Sequence, residues 1–123
     1  MSSYITFRKG EVELTSYSRS TKIYQLLREY ATFDTWKPLT EDILVKAHAE
    51  ASEQIREYED DIELHEDIFE GLTLFDDRYN VATHIQGCRK EIEELTYAKV
   101  ILDFLLDCIE TENPPHKLEF IVD

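Results

Sequence analysis

Four residues of this chain carry donor groups suited to a metal ion: Asp61, His65, His84 and Cys88. Imidazole nitrogen, thiolate sulfur and carboxylate oxygen are the usual zinc ligands. Asp61 and His65 stand four apart, one above the other on a helix, and His84 and Cys88 fall near them if the chain doubles back. The usual zinc spacings, CxxC and HExxH, are absent. A histidine at a helix seam is ordinarily a packed polar residue, and His48 has the same default. The expectation is therefore no metal and no cofactor. Two E-x-x-E pairs, Glu50/Glu53 and Glu91/Glu94, place carboxylates one helical turn apart.

The Glu91/Glu94 pair resembles the Mg-binding motif of all-α nucleotide pyrophosphohydrolases such as the MazG family. That resemblance implies a metal-dependent hydrolase with an E-x-x-D on the following helix. No E-x-x-D follows Glu94, and Glu57/Asp60 lies on the same helix as Glu53. Ser/His/Asp, Walker and Gly-rich patterns are also missing. The expectation is a protein that is not an enzyme, with the hydrolase as a minor alternative.

The dominant feature is charge. Residues 53–71 read EQIREYEDDIELHEDIFEG, and ten acids lie between Glu50 and Glu70 against the single base Arg56. Residues 1–49 hold seven bases and six acids, whereas the remaining residues hold six bases and 21 acids. Like charges four apart on a helix, such as Glu53/Glu57, Glu57/Asp61, Glu59/Glu63, Glu63/Asp67 and Glu66/Glu70, each cost about 0.2–0.5 kcal/mol at low salt. Glu66, Asp67 and Glu70 also stand near a helix C-terminus, where the dipole disfavours anions.

The whole chain has 123 residues, a net charge of -14, 42% apolar and 33% charged residues, and only three Gly and three Pro. One domain with a real core is expected. So acidic a surface argues against direct binding to nucleic acid or an anionic membrane. No apolar h-region opens the sequence and no apolar run approaches a spanning length, so a cytoplasmic location is expected. Cys88 and Cys108, both placed on one helix, would lie about 30 Å apart and cannot pair.

The spacing of apolar residues supplies the elements. SYITFR and EVELTSY alternate around Arg8-Lys9-Gly10, which predicts a β-hairpin over residues 3–17. A short helix capped by Ser18 or Ser20 should run to about Phe33, with Lys37-Pro38 breaking the chain. Thr40 should cap a long helix whose seam is Leu44, His48, Ala51, Ile55, Tyr58, Ile62, His65, Phe69 and Leu72, ended by a left-handed Gly71. A second seam runs Val81, Ile85, Cys88, Ile92, Leu95, Lys99, Leu102, Leu106 and Ile109, stopped by Asn113-Pro114-Pro115. HKLEFIV should be a last strand. LTYAKVILDFLLDCI is apolar almost all round and should be covered on several sides.

The fold expected is α+β: a long antiparallel, coiled-coil-like helical hairpin, with a short helix and a small antiparallel sheet on one end. Residues 1–50 and 93–123 would form a head, and residues 51–92 an acidic arm. Glu53, Glu57, Asp60, Asp61, Glu63, Asp67 and Glu70 are the expected contacts for a basic protein surface. Leu64, Ile68, Leu74 and Phe75 are the expected residues for self-association, possible as a homodimer through a four-helix bundle. In size, charge and free cysteines the chain resembles phage-encoded DNA mimics, such as anti-restriction and anti-CRISPR proteins. It also resembles bacterial immunity proteins that block basic nuclease toxins. A structural adaptor that self-associates through its helical hairpin is the alternative.

Overall fold

The computed structural model describes residues 3–110 and 117–123. The chain opens with an antiparallel hairpin, β1 (Tyr4–Lys9) and β2 (Val12–Ser18). Gly10 turns it with φ of 62°, a conformation that glycine adopts without a Cβ clash. The last strand, β4 (Leu118–Val122), pairs antiparallel with the other edge of β1, with Phe7 opposite Phe120. Their rings stack with centroids 6.3 Å apart. Isoleucine and phenylalanine at positions 5 and 7 and Leu118, Phe120 and Val122 all face inward, the period-2 pattern of a half-buried sheet.

A fourth strand was not anticipated. β3 (Lys37–Pro38) pairs with β4, giving the order β2-β1-β4-β3, where a chain break had been expected. Pro38 is tolerated because β3 is an edge and needs no further donor. Leu39 N–H bonds the Leu118 carbonyl at 2.8 Å and continues the pairing.

The short helix also differs from the reading of the sequence. α1 spans Lys22–Leu27, followed by one 3-10 turn at Arg28–Tyr30. Its cap is Thr21, whose hydroxyl accepts from the Tyr24 N–H and donates to the Ser18 carbonyl. The hydroxyls of Ser18 and Ser20 instead bond each other. The helix stops short of Phe33 because the sheet captures the chain: Val122 N–H bonds the Thr32 carbonyl, and Phe33 bridges to Val122.

Thr40 caps α2 (Glu41–Gly71) as expected, with Glu41 and Asp42 in the first turn where the dipole favours anions. Gly71 is not left-handed. The extended Leu72 ends the helix, with its N–H on the Phe69 carbonyl. α3 (Phe75–Glu110) starts six residues before the first seam position, Val81, with Asp76 and Asp77 in its first turn. The two long helices run antiparallel: His48 meets Asp103 near the head, and Glu66 meets Arg89 near the tip. The predicted stop at Asn113-Pro114-Pro115 lies outside the described residues.

One core joins sheet and helices. Leu44, Ala47 and Ala51 of α2, Ile23, Leu26 and Leu27 of α1, and Leu95, Ala98, Leu102 and Leu105 of α3 lie against the inner face of the sheet. Its buried members reach no further along the hairpin than Ala51 and Leu95, with Ile55 and Tyr58 packed half-buried against them. Beyond it, the buried residues are Ile85 and Cys88. Lys22 of α1 forms an ion pair with Glu91 of α3 where the core ends. Cover on α3 is less complete than its sequence implied: Tyr97, Val100 and Phe104 form an exposed apolar stripe. No helix among the described residues is long and apolar enough to cross a membrane.

These burials set a contrast along one helix. Leu95→Ala should cost about 2–5 kcal/mol of unfolding free energy, because it opens a cavity in a closed core. Tyr97→Ala, two residues away and exposed, should stay within about 0.5 kcal/mol. Urea denaturation followed by circular dichroism measures both. Equal losses would show that the assigned face of α3 is wrong.

Candidate functional site

The acids of α2 divide into two populations. Glu53, Glu57, Glu59, Asp60, Glu63, Glu66, Asp67 and Glu70 are exposed. Of these, Glu66 pairs with Arg89 at 3.3 Å. The other seven form no ion pair among the described residues. Arg78, a possible counter-charge on α3, lies instead over the Phe69 ring, 4.4 Å from its centroid. The exposed face therefore retains nearly all of its negative charge.

Asp61, which the sequence placed with the outward contacts, is half-buried and belongs to the other population. It flanks the seam residue Ile62 and turns into a cluster between the helices. His84 Nε2 donates to Asp61 Oδ2 at 2.8 Å, and the Cys88 thiol donates to the same oxygen at 3.3 Å. Cys88 Sγ lies 3.6 Å from His84 Nε2. His65 Nδ1 sits 2.8 Å from both Asp61 Oδ1 and the Asp61 carbonyl, which accepts its N–H. The two imidazoles face each other with centroids 4.0 Å apart. The hydrogen bonds from His84 and Cys88 hold the Asp61 carboxyl below the usual carboxylate range. Burial, reinforced by the hydrogen bond to Asp61, pushes the Cys88 thiol up.

Local sequence builds this cluster simply. Asp61/His65 on α2 and His84/Cys88 on α3 are both i, i+4 pairs, so each helix presents two donors one turn apart. The antiparallel seam brings the pairs together. Asp61, His65 and His84 each place one donor atom within 4.8 Å of the others. The spacing of Asp61 and His65 was visible in the sequence. That Asp61 faces inward depends on the flank of the seam being closed by α3.

The residues assigned to self-association are all exposed: Leu64, Ile68, Leu74 and Phe75. Phe75 and Tyr79 stack at the tip with centroids 6.2 Å apart. The stripe Tyr97, Val100 and Phe104 was missed, because periodicity alone could not say which side of an all-round apolar helix would stay open. One member of each E-x-x-E pair has a partner. Glu91 is held by Lys22, and Glu50 accepts from Gln54. His48 lies beside Asp103 at 3.4 Å, at the head end of the seam. No known protein family, curated protein or solved structure matches the chain.

The depressed titration of Asp61 fixes the sign of a pH effect. Its carboxylate is favoured more in the folded than in the unfolded chain, so its contribution is present above the unfolded value of about 3.9. It is lost as pH falls through the lower folded value. In buffer with a chelator, Asp61→Asn should therefore melt below wild type at neutral pH, and the gap should close in acid. A gap constant across the whole range would mean that the carboxylate charge contributes nothing.

Proposed function

We propose that this protein is a non-enzymatic binding protein whose acidic arm docks on the basic, nucleic-acid-binding surface of another protein. The observation that supports this most is the set of seven exposed carboxylates, Glu53, Glu57, Glu59, Asp60, Glu63, Asp67 and Glu70, that form no ion pair among the described residues. They lie along a helix about 10–12 Å wide and repel one another, so stability does not account for them. A rod with dense negative charge is physically similar to a nucleic-acid backbone. Grooves lined with Lys and Arg to hold nucleic acid would attract it and speed its association. On this reading the protein acts like a DNA mimic of the anti-restriction or anti-CRISPR kind, or like an immunity protein against a basic nuclease.

A second reading, self-association, draws on a separate observation: Leu64 and Ile68 stand exposed among the acids, and Leu74, Phe75 and Tyr79 are exposed at the tip. Exposed apolar groups this close together are a common mark of an interface. If two arms associate, the acids oppose their approach and salt screens them. Sedimentation should then show a dimer that strengthens as salt rises. A monomer at both low and high salt removes this reading and assigns the apolar residues to a foreign partner.

The docking reading has its own test. Immobilised protein should capture nucleic-acid-binding proteins from a bacterial lysate and release them in a salt gradient. A variant carrying Asp60→Lys, Glu63→Lys and Asp67→Lys should lose at least about 2 kcal/mol of that binding while its helicity stays intact. If the triple variant captures the same proteins as strongly, the acidic face is solvated surface and the reading fails.

A further inference from the structure

We infer that Asp61, His65, His84 and Cys88 form a zinc site that staples α2 to α3 partway along the arm. The inference is independent of the docking surface, since all four residues lie at or beside the seam and the docking carboxylates point outward.

The donor set comes first. Two imidazoles, one thiol and one carboxylate are all ligands that Zn²⁺ takes, and four protein ligands make a closed, structural site. A thiolate and two imidazoles select a late first-row metal over Mg²⁺ or Ca²⁺, which prefer oxygen alone. The outward carboxylates of the arm have no such nitrogen or sulfur beside them. Their weak attraction for cations is a different chemistry.

The spacing comes second. Zinc bond lengths with tetrahedral angles put sulfur and nitrogen donors about 3.6 Å apart, and nitrogen and oxygen donors about 3.4 Å apart. Cys88 Sγ and His84 Nε2 already stand at 3.6 Å, and Cys88 Sγ and Asp61 Oδ2 at 3.3 Å. His84 Nε2 and Asp61 Oδ2 are closer, at 2.8 Å, because a proton rather than a metal now joins them. They need only separate by about half an ångström when each bonds the ion instead. One donor atom of His65 lies within 4.8 Å of those of Asp61 and His84, so three of the four ligands already converge, and Cys88 adjoins them through Asp61 and His84.

Proton balance is simple. On binding, the Cys88 thiol loses its proton to solvent and becomes the thiolate ligand. His84 moves its proton from Nε2 to Nδ1 and offers the Nε2 lone pair. Asp61 Oδ2 already accepts from His84 and Cys88 and needs only to exchange those donors for the ion. No oxidant or reductant is involved. Access is open, because the His84 side chain is about half exposed, with Cys88 closing the inner side. The staple also falls where it has most effect, on a length of hairpin in which Ile85 and Cys88 are the buried residues. Binding free energy gained by such a site adds to the stability of the fold that forms it.

Untagged protein, stripped with a chelator, is titrated with Co²⁺ and then Zn²⁺. One equivalent of Co²⁺ should give the intense visible bands of a tetrahedral ion and a thiolate-to-cobalt charge-transfer band, both erased by Zn²⁺. Zinc should also raise the melting midpoint. Cys88→Ser should abolish the charge-transfer band, with Cys88→Ala as a second route should the serine variant lose helicity. His65→Gln, His84→Gln and Asp61→Asn should each weaken binding at least about tenfold. The variant with Asp60→Lys, Glu63→Lys and Asp67→Lys should bind as wild type does. Absence of the charge-transfer band at one equivalent, or unchanged affinity in the single variants, would overturn the site. Loss of binding in the triple variant would do so too, since it would assign the metal to the surface carboxylates.

Discussion

Everything in this protein depends on the apolar seam between α2 and α3. Short connections force consecutive helices to lie antiparallel, and here Leu72, Thr73 and Leu74 are all that separates Gly71 from Phe75. Helices of 31 and 36 residues then lie side by side, about 45 Å and 54 Å long. At the head end the seam is shared with a sheet and a third helix. Fully buried alanines at 47, 51 and 98 mark where the packing leaves no room for a larger side chain. Toward the tip the same seam has no third partner, and its residues are mostly only half-buried. One interaction thus builds both a closed core and an open arm. They differ in what lies on the far side of each helix.

That difference explains how far the sequence could be read. The 4-3 spacing from Leu44 to Leu72 and from Val81 to Ile109 demands two helices that face each other, and they do. The hairpin at Gly10 and the strand at Leu118 follow from alternation and from one residue able to take positive φ. The misreadings fall where tertiary contact outweighs local preference. The cap of α1 is a local exception: Thr21 takes it, while the hydroxyls of Ser18 and Ser20 bond each other. Lys37-Pro38 looked like a breaker and became a strand, because β4 offered a free edge. Tyr97, Val100 and Phe104 looked like core and stayed exposed, because the sheet and α1 cover the other sides of α3.

The acidic face and the inner cluster answer different physical demands. The outward carboxylates weaken the arm through i, i+4 repulsion and an unfavourable position on the dipole, and one Arg89–Glu66 pair offsets little of this. Surface charge of this kind contributes little to folding; its effect is on what approaches. The inner cluster works across the seam instead. His84 and Cys88 both donate to one carboxylate that α2 provides, so the helices are joined by polar contacts where apolar burial is thin. Cooperative contacts of this kind are stronger in partly buried surroundings than on the open face.

Asp60 and Asp61 make the point most directly. They are neighbours in sequence with the same side chain, yet about 100° of helical rotation separates them. Asp60 points to solvent with no cation in reach among the described residues, and it is free to meet a foreign one. Asp61 points to two histidines and a thiol, and its charge is held by them. Counting carboxylates in the sequence gives the two equal weight. The phase of the helix against its seam separates a carboxylate left to solvent from one that joins the two helices through His84 and Cys88, and the same phase sets nitrogen and sulfur donors beneath a row of acids without mixing their chemistry.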